Sequence, residues 1–326
     1  MTKSYKNREA YIKKKNSTTM IILGIALVLI LLSRTEFGNE LLSMFIYEDS
    51  YVTDNRPAEA PKAGDEMLVY YFDVAQGDSE LIRIPEANSA DGYFDMLIDS
   101  GEYSEYDKLS SYLGELQIKD LEAVVVTHPH ADHMGSMATV IRKNDVKKFY
   151  MPSFPEKLTP TSKAYETMLD AIDEKDLGIT VVKEGTVIPA PATASITVMG
   201  PTGSGDYEDL NNYSAIVKVV YGDTSFLFTG DAETPEVQEA IDKGWNLDSD
   251  VLKVGHHGSW NATDKNVLNA VSPDMAVISC GEGNSYGHPH KEVIELLERY
   301  DIPCYRTDLE GTILLTSDGT AVKKAS

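Results

Sequence analysis

The sequence predicts an α/β domain of two packed β-sheets with helices on their outer faces, preceded by one membrane-spanning helix. Three observations predict it. From residue 66 onward, short strand-like runs bounded by Gly, Asp and Pro alternate with helical stretches. One run, "LEAVVVTH" (121–128), is continuously apolar, as a strand buried on both faces must be. Near the N-terminus a stretch of 17 residues without charge follows a basic segment.

That stretch is "STTMIILGIALVLILLS", residues 17–33. As a helix it is about 26 Å long, enough to cross the hydrocarbon core of a bilayer. Lys and Arg collect on the cytoplasmic side of such spans, so the basic tail 1–16 is expected inside and everything after residue 34 outside. A cleaved signal peptide is the alternative and would leave the body secreted. The apolar run is long for one, and "RTEFGNELL" after it offers no small-x-small cleavage site. Residues 34–63 read as a stalk, because "RPAEAPKAGDE" is charged and rich in Pro and Ala.

Within 64–326 the elements follow in order. "MLVYYFDV", "SELIRI" and "FDMLIDSG" read as strands, then a helix near 105–116, then the apolar strand 121–128. "HMGSMATVIRKN" (133–144) reads as one helix, "KKFYMP" as a strand and "SKAYETMLDAIDEK" as a helix. Four strand-like runs follow: "GITVV", "ASITVMG", "SAIVKVVYG" and "TSFLFTGD". "TPEVQEAIDKG", "NVLNAVSP" and "HKEVIELLERY" are helical, and they alternate with the strands "DVLKVGHHG" and "MAVISCG". "TILLTSDG" and "TAVKKAS" close the chain.

Of the 326 residues 42% are hydrophobic, enough for a sizeable core. Cys280 and Cys304 are too few for a disulfide framework; they form one bridge in an oxidising compartment or stay as two thiols. Seven basic residues against one acidic one give the first 34 residues +6, so the remainder carries −29 of the total −23. A body that acidic excludes broad non-specific binding of nucleic acid by its bare surface. It does not exclude a phosphodiester substrate, since bound metal ions reverse the local sign.

All seven histidines fall in three short stretches: His128, His130 and His133; His256 and His257; His288 and His290. Each stretch follows an expected strand, and Asp231 ends another, "TSFLFTGD". Distant segments therefore converge at one rim of a sheet. In "THPHADH", Pro129 disfavours helix at His128, so His128 and His130 sit at i and i+2 of an extended chain and point to the same side. Together they can grip one ion. Asp132 and His133, at a helix start, can face a second. Imidazole and carboxylate ligands suit zinc, manganese or iron.

The H-x-H-x-D-H stretch, the aspartate after a hydrophobic strand and the late histidine resemble the metallo-β-lactamase fold superfamily. "FDVAQGDSELI" (72–82), "MLIDSG" (96–101), "NNYSAIVKVVYGDTSFLFTGD" (211–231), "DVLKVGHHGS" (250–259), "YGHPHKEVI" (286–294) and "YRTDLEGTI" (305–313) look like the hydrolase domain of ComEC/Rec2-type competence proteins. The resemblance covers roughly 66–320. It implies a four-layer αββα sandwich and two divalent metal ions. His128 and His130 would hold the first ion, Asp132 and His133 the second, and Asp231 would bridge them. One histidine of the pair 256/257 would complete the second site, the other orienting it or touching substrate. Many members supply a third histidine to the first ion from mid-chain, whereas this chain has none from 134 to 255. Asn212 or Ser214 of "NNYS", or water, would then fill that place, which tilts the choice from zinc towards manganese.

The chemistry implied is two-metal hydrolysis. Asp132 would double as a proton acceptor. Asp73, Gln76, Asp78 and Asp99 are candidates to aim the ligands, or they serve turns at strand ends. His288 and His290 would donate a proton to the leaving group or bind phosphate; alternatively His290 caps the helix that follows. The leading expectation is an outward-facing, membrane-anchored phosphodiesterase acting on nucleic acid or on an envelope phosphoester such as teichoic-acid phosphorylcholine. β-Lactam or lactone hydrolysis and a non-catalytic, metal-stabilised receptor or assembly protein are the alternatives.

Overall fold

A computed structural model describes residues 57–325 except 63 and 204. The expected tail 1–16, the span 17–33 and residues 34–56 of the stalk lie outside the described residues. Among the described residues no helix is long and apolar enough to cross a membrane.

In chain order the elements are β1 (Met67–Tyr71), β2 (Glu80–Pro85), β3 (Tyr93–Ile98), α1 (Tyr106–Glu115), β4 (Asp120–Leu121), β5 (Ala123–Val125), α2 (Ala131–Met134), α3 (Met137–Lys143), β6 (Asp145–Val146) and β7 (Phe149–Pro152). Then come α4 (Lys163–Glu174), β8 (Ile179–Val182), β9 (Val187–Ile188), β10 (Ala194–Gly200), β11 (Ile216–Tyr221), β12 (Thr224–Phe228), α5 (Thr234–Asp242) and β13 (Val251–Lys253). The chain ends with α6 (Lys265–Val271), β14 (Met275–Ile278), α7 (Lys291–Arg299), β15 (Cys304–Arg306), α8 (Thr307–Glu310), β16 (Ile313–Ser317) and β17 (Val322–Lys324).

Two large sheets result. One has eight strands in the order β17-β16-β1-β2-β3-β5-β7-β8, the other seven in the order β15-β14-β13-β12-β11-β10-β9. Each is antiparallel over one part and parallel over the other, the parallel runs being β3-β5-β7-β8 and β12-β13-β14-β15. A parallel neighbour requires a crossover, and helices supply most of them. Val69, Ile82, Met96 and Val125 of the first sheet pack on Val198, Val219, Phe226 and Val251 of the second, forming the central core. Leu81, Leu97 and Val124 on the outer face of the first sheet meet α1, α3 and α4 through Leu109, Val140 and Met168. Leu227, Leu252 and Ala276 on the outer face of the second meet α5, α6 and α7 through Val237, Leu268 and Leu297. The layers therefore run helix, sheet, sheet, helix.

The expected helix 133–144 is two helices, broken at Gly135 and Ser136. A Cβ on Gly135 would lie 2.4 Å from the Ala131 carbonyl oxygen and 2.6 Å from the Tyr103 nitrogen, so the break lets another segment press against the backbone. Cys280 and Cys304 are free thiols. Burial pushes both up to about 12, which keeps them protonated at neutral pH.

Candidate metal centre

Parallel strands of both sheets deliver the candidate residues at their carboxyl ends, where open α/β sheets place ligand sites. Asp99 follows β3 and His128 follows β5 in one sheet; Asp231 follows β12, His256 and His257 follow β13, and Ser279 follows β14 in the other. The segment carrying Asp132 and His133 is pinned by backbone bonds. Asp78 N–H donates to the Asp132 carbonyl (3.1 Å), Ser100 N–H to that of His133 (2.6 Å) and Ser136 N–H to that of Gly101 (3.1 Å).

Asp132, His133, Asp231 and His257 each present one ligand atom, and these atoms all lie within 4.8 Å of one another. His133 Nε2 is 3.2 Å from Asp231 Oδ1, and His257 Nε2 is 3.2 Å from Asp132 Oδ2 and 3.5 Å from Asp231 Oδ1. Donors arranged tetrahedrally about one ion at its usual bond length sit about 3.4 Å apart. His133 Nε2, His257 Nε2 and Asp231 Oδ1 are buried and have no hydrogen-bond partner. Buried polar atoms are rarely left so. One divalent ion satisfies all three, so the residues fit a metal.

Both of these histidines have their outer nitrogen committed. His133 Nδ1 lies 2.8 Å from Asp99 Oδ2. Asp99 also accepts from Thr127 N–H (2.8 Å) and Thr127 Oγ1 (2.6 Å). His257 Nδ1 lies 3.0 Å from the Ser279 carbonyl and 3.1 Å from Asp78 Oδ1. Asp78 Oδ2 in turn pairs with the buried Lys253 ammonium. An Nδ1–H donated outward leaves the Nε2 lone pair facing the centre. Asp78, Asp99 and His133 form a second acidic group of metal-binding type. Its oxygens already accept from Thr127 and Lys253, so it supports the site rather than forming another.

The electrostatics agree. Burial opposes ionisation of Asp78, but Lys253, then His257 and His133, overcome it and hold the carboxyl at about 2. Burial lowers His133 and His257, yet Asp231 with the neighbouring carboxylates outweighs it, raising His133 well above its ordinary value and His257 to about 10. Burial also works against ionisation of Asp231 and Asp132, and the same histidines hold both low. His128 is pushed down by burial and by His133, so its ring is neutral.

His128 and His130 meet as their spacing predicts. His128 Nε2 is 2.9 Å from His130 Nδ1 and 3.8 Å from Asp231 Oδ2. His256 Nε2 approaches that same oxygen at 3.6 Å. The choice left open by sequence falls on His257 for the group with Asp132 and His133.

Asn212 and Ser214, the expected substitutes for a mid-chain ligand, face elsewhere. Asn212 donates to Glu233 Oε2 (2.9 Å) and accepts from Glu233 N–H (3.2 Å), while Ser214 Oγ accepts from Asp231 N–H (3.3 Å). Asp73 accepts from Ala75 N–H and Lys108, and Gln76 Oε1 accepts from Gly281 N–H, so both serve loops rather than ligands. His290 occupies the N-cap position of α7 without a side-chain cap; its Nδ1 accepts from Trp260 N–H at 3.2 Å. His288 is half-buried, its ring 5.5 Å from His256 and 6.1 Å from His257. Burial, then His257 and His256, lower it to about 4, so it is neutral at pH 7. Sequence reasoning missed Lys253, Thr127 and Glu233. A lysine inside the apolar strand "DVLKV" was the visible signal for the first.

Residues 91–282 match the family model described as "Metallo-beta-lactamase superfamily". "ComE operon protein 3" of Bacillus subtilis (strain 168) is 32% identical over 78% of this chain and 33% of its own length. "Competence protein ComA" of Neisseria gonorrhoeae is 28% identical over 79% of this chain and 33% of its own. The chain thus spans about a third of the length of the curated relatives it matches. Among solved structures, "CmlA beta-hydroxylase E377D mutant" aligns over 79% of this chain and 54% of its own, at a TM-score of 0.46 and 13% identity.

Proposed function

Since the chain belongs to the metallo-β-lactamase superfamily, we propose that it is a membrane-anchored, outward-facing hydrolase of phosphodiesters that works with two divalent ions, zinc or manganese. The observation that carries the reading is Asp231, whose Oδ1 faces His133 and His257 while its Oδ2 faces His128 and His256. A carboxylate so placed suits a bridge between two ions. Asp132, His133, Asp231 and His257 would hold one, and His128, His130 and Asp231 the other.

Bound ions would acidify a water and neutralise the charge that builds on phosphoryl oxygens. The chain's residues supply the rest. Only Asp132 and Asp231 bring negative charge to the ligand set, the other donors being imidazoles. A loaded centre therefore keeps positive charge, which suits an anionic ester better than a neutral one. Asp99 and Asp78 fix the two Nε2 donors. Asp132 is held at low pKa, which makes it a ligand first and a weak base. His288, neutral and with an unpartnered Nδ1, is placed to hydrogen-bond a phosphoryl oxygen or the leaving group.

Residues 1–16 would be the cytoplasmic tail, 17–33 the anchor, 34–63 the stalk and 64–326 the hydrolase domain. One of the relatives is a competence protein by name and another, of Haemophilus influenzae, a recombination protein. That supports nucleic acid as substrate, and the acidic body supports an envelope phosphoester.

The test uses the full chain in mild detergent, loaded in turn with zinc, manganese and iron. The substrates are bis-p-nitrophenyl phosphate, single-stranded DNA, a phosphorylcholine ester and nitrocefin. Turnover of a phosphodiester with at least one metal is expected, and the natural pair of substrates decides between the two sources. No phosphodiester turnover with any metal sinks the reading. Protease added to intact protoplasts should remove the body; protection would reverse the topology.

A further inference from the structure

We propose that Tyr286 is a stacking platform for a nucleobase at the mouth of the site, which makes single-stranded nucleic acid the polymer bound there. The inference rests on the hydrolase reading above and names the class of its substrate.

The loop between β14 and α7 is built to display this ring. Asn284 organises it. Its side-chain N–H groups donate to the carbonyls of Gly281 (2.9 Å) and His288 (2.6 Å), and its Oδ1 accepts from the N–H groups of Tyr286 (3.1 Å) and His288 (3.0 Å). Both donors and both lone pairs of that amide are used. Gly283 and Gly287 have φ +64° and +76°, and a Cβ on either would meet nothing within 4 Å, so the loop stands in open space there.

Tyr286, between these glycines, is 65% exposed. Its inner face is stacked on the His288 ring, with 5.6 Å between centroids and 19° between planes. His288 in turn stands edge-on to His256 at 5.5 Å and lies 6.1 Å from His257. Tyr286 is therefore two ring contacts from a proposed metal ligand, with its outer face open to solvent. Trp260, also 65% exposed, is held on the same rim. Its N–H donates to His290 Nδ1 at 3.2 Å, and the His290 ring meets His288 edge-on at 4.9 Å.

A flat ring face fixed beside a hydrolytic centre suits a flat ring of the substrate, and every nucleobase has one. A quaternary ammonium is caged by several ring faces, whereas Tyr286 offers one, its other being taken by His288. Charge points the same way. The chain beyond residue 34 carries −29, so away from the metal centre a strand gains little through its phosphates and must gain through its bases. A single strand has base faces to offer, while those of a duplex must first be unstacked.

The test compares oligo(dT) with an abasic strand of the same length, which keeps the phosphodiesters and the charge but has no bases. Both carry a fluorophore. Their binding to the full chain in mild detergent, loaded with manganese, is read by anisotropy, and turnover is read afterwards. Wild type should prefer oligo(dT). Tyr286→Ala should cut that preference about 5- to 150-fold, the range given by loss of one stacked base. Tyr286→Phe, which keeps the ring, should retain it. No preference in the wild type, or the same preference in Y286A, overturns the proposal. So does equal weakening of both strands in Y286A, which would make Tyr286 a support for His288 rather than a platform. Base-dependent binding without turnover of either strand would keep the platform and defeat the hydrolase reading. Turnover of both strands at equal KM would do the reverse.

Discussion

His133 Nδ1 lies 2.8 Å from Asp99 Oδ2, with both side chains fully buried. Asp99 takes two further hydrogen bonds from Thr127, so it cannot turn away. Asp99→Asn must offer its amide nitrogen to one of these donors and leaves the tautomer of His133 unfixed. Metal affinity should fall about 10- to 100-fold while the fold persists. Competition with a chromophoric chelator measures it, and unchanged affinity would show that the pair does not aim the ligand.

Lys253 and Asp78 form an ion pair whose side chains are 1% and 2% exposed. Removing one partner of such a pair leaves a charge buried without compensation. Lys253→Met should cost about 3–5 kcal/mol in urea unfolding of the metal-free protein, and K253M/D78N should recover most of it. A double variant no more stable than K253M contradicts this account of the lysine.

Metal binding should release protons. His257 is raised to about 10 in the metal-free protein, against an ordinary 6.5. A folded-state pKa above the unfolded one stabilises the protein fully below about 6.5, and that contribution is lost as pH rises through about 10. A metal can bind Nε2 only after that proton leaves, so affinity should rise with pH across this window. Calorimetry at pH 7 in buffers of different ionisation enthalpy reads the release directly. Identical apparent enthalpies in all buffers would mean that no proton is displaced.

Gly77 has φ +150° and room for no side chain: a Cβ would lie 2.4 Å from the Asp132 carbonyl oxygen. Gly77→Ala should displace Asp132, costing about 1–3 kcal/mol and the ion that Asp132 holds. Gly92→Ala is the control, since Gly92 has φ +88° but nothing within 4 Å of a Cβ. It should lower stability without lowering metal content. Equal metal content in both variants would remove Gly77 from the site's support.

Much of this was legible from residues. Apolar runs with period two or none gave the long strands, and "THPHADH" with "TGD" gave the histidine–aspartate cluster. The two-residue strands β4 and β6 show no period to read, and they pair only with each other. Partly exposed β15 lacks an apolar run. The break at Gly135 depends on Tyr103, which the chain brings there only after folding. His256 and His257 could not be told apart because left-handed backbone at both decides their directions. Asp73 and Gln76 share the "DVAQGD" turn with Asp78, yet only the last, two residues before β2, has its carboxylate beside His257.

The most direct measurement is anomalous diffraction from crystals of the protein loaded with zinc or manganese. The account predicts one peak about 2 Å from His133 Nε2, His257 Nε2, Asp231 Oδ1 and an Asp132 oxygen, and a second between His128, His130 and Asp231 Oδ2. A peak among Asp78, Asp99 and Nδ1 of His133, or none at Asp231, would contradict it.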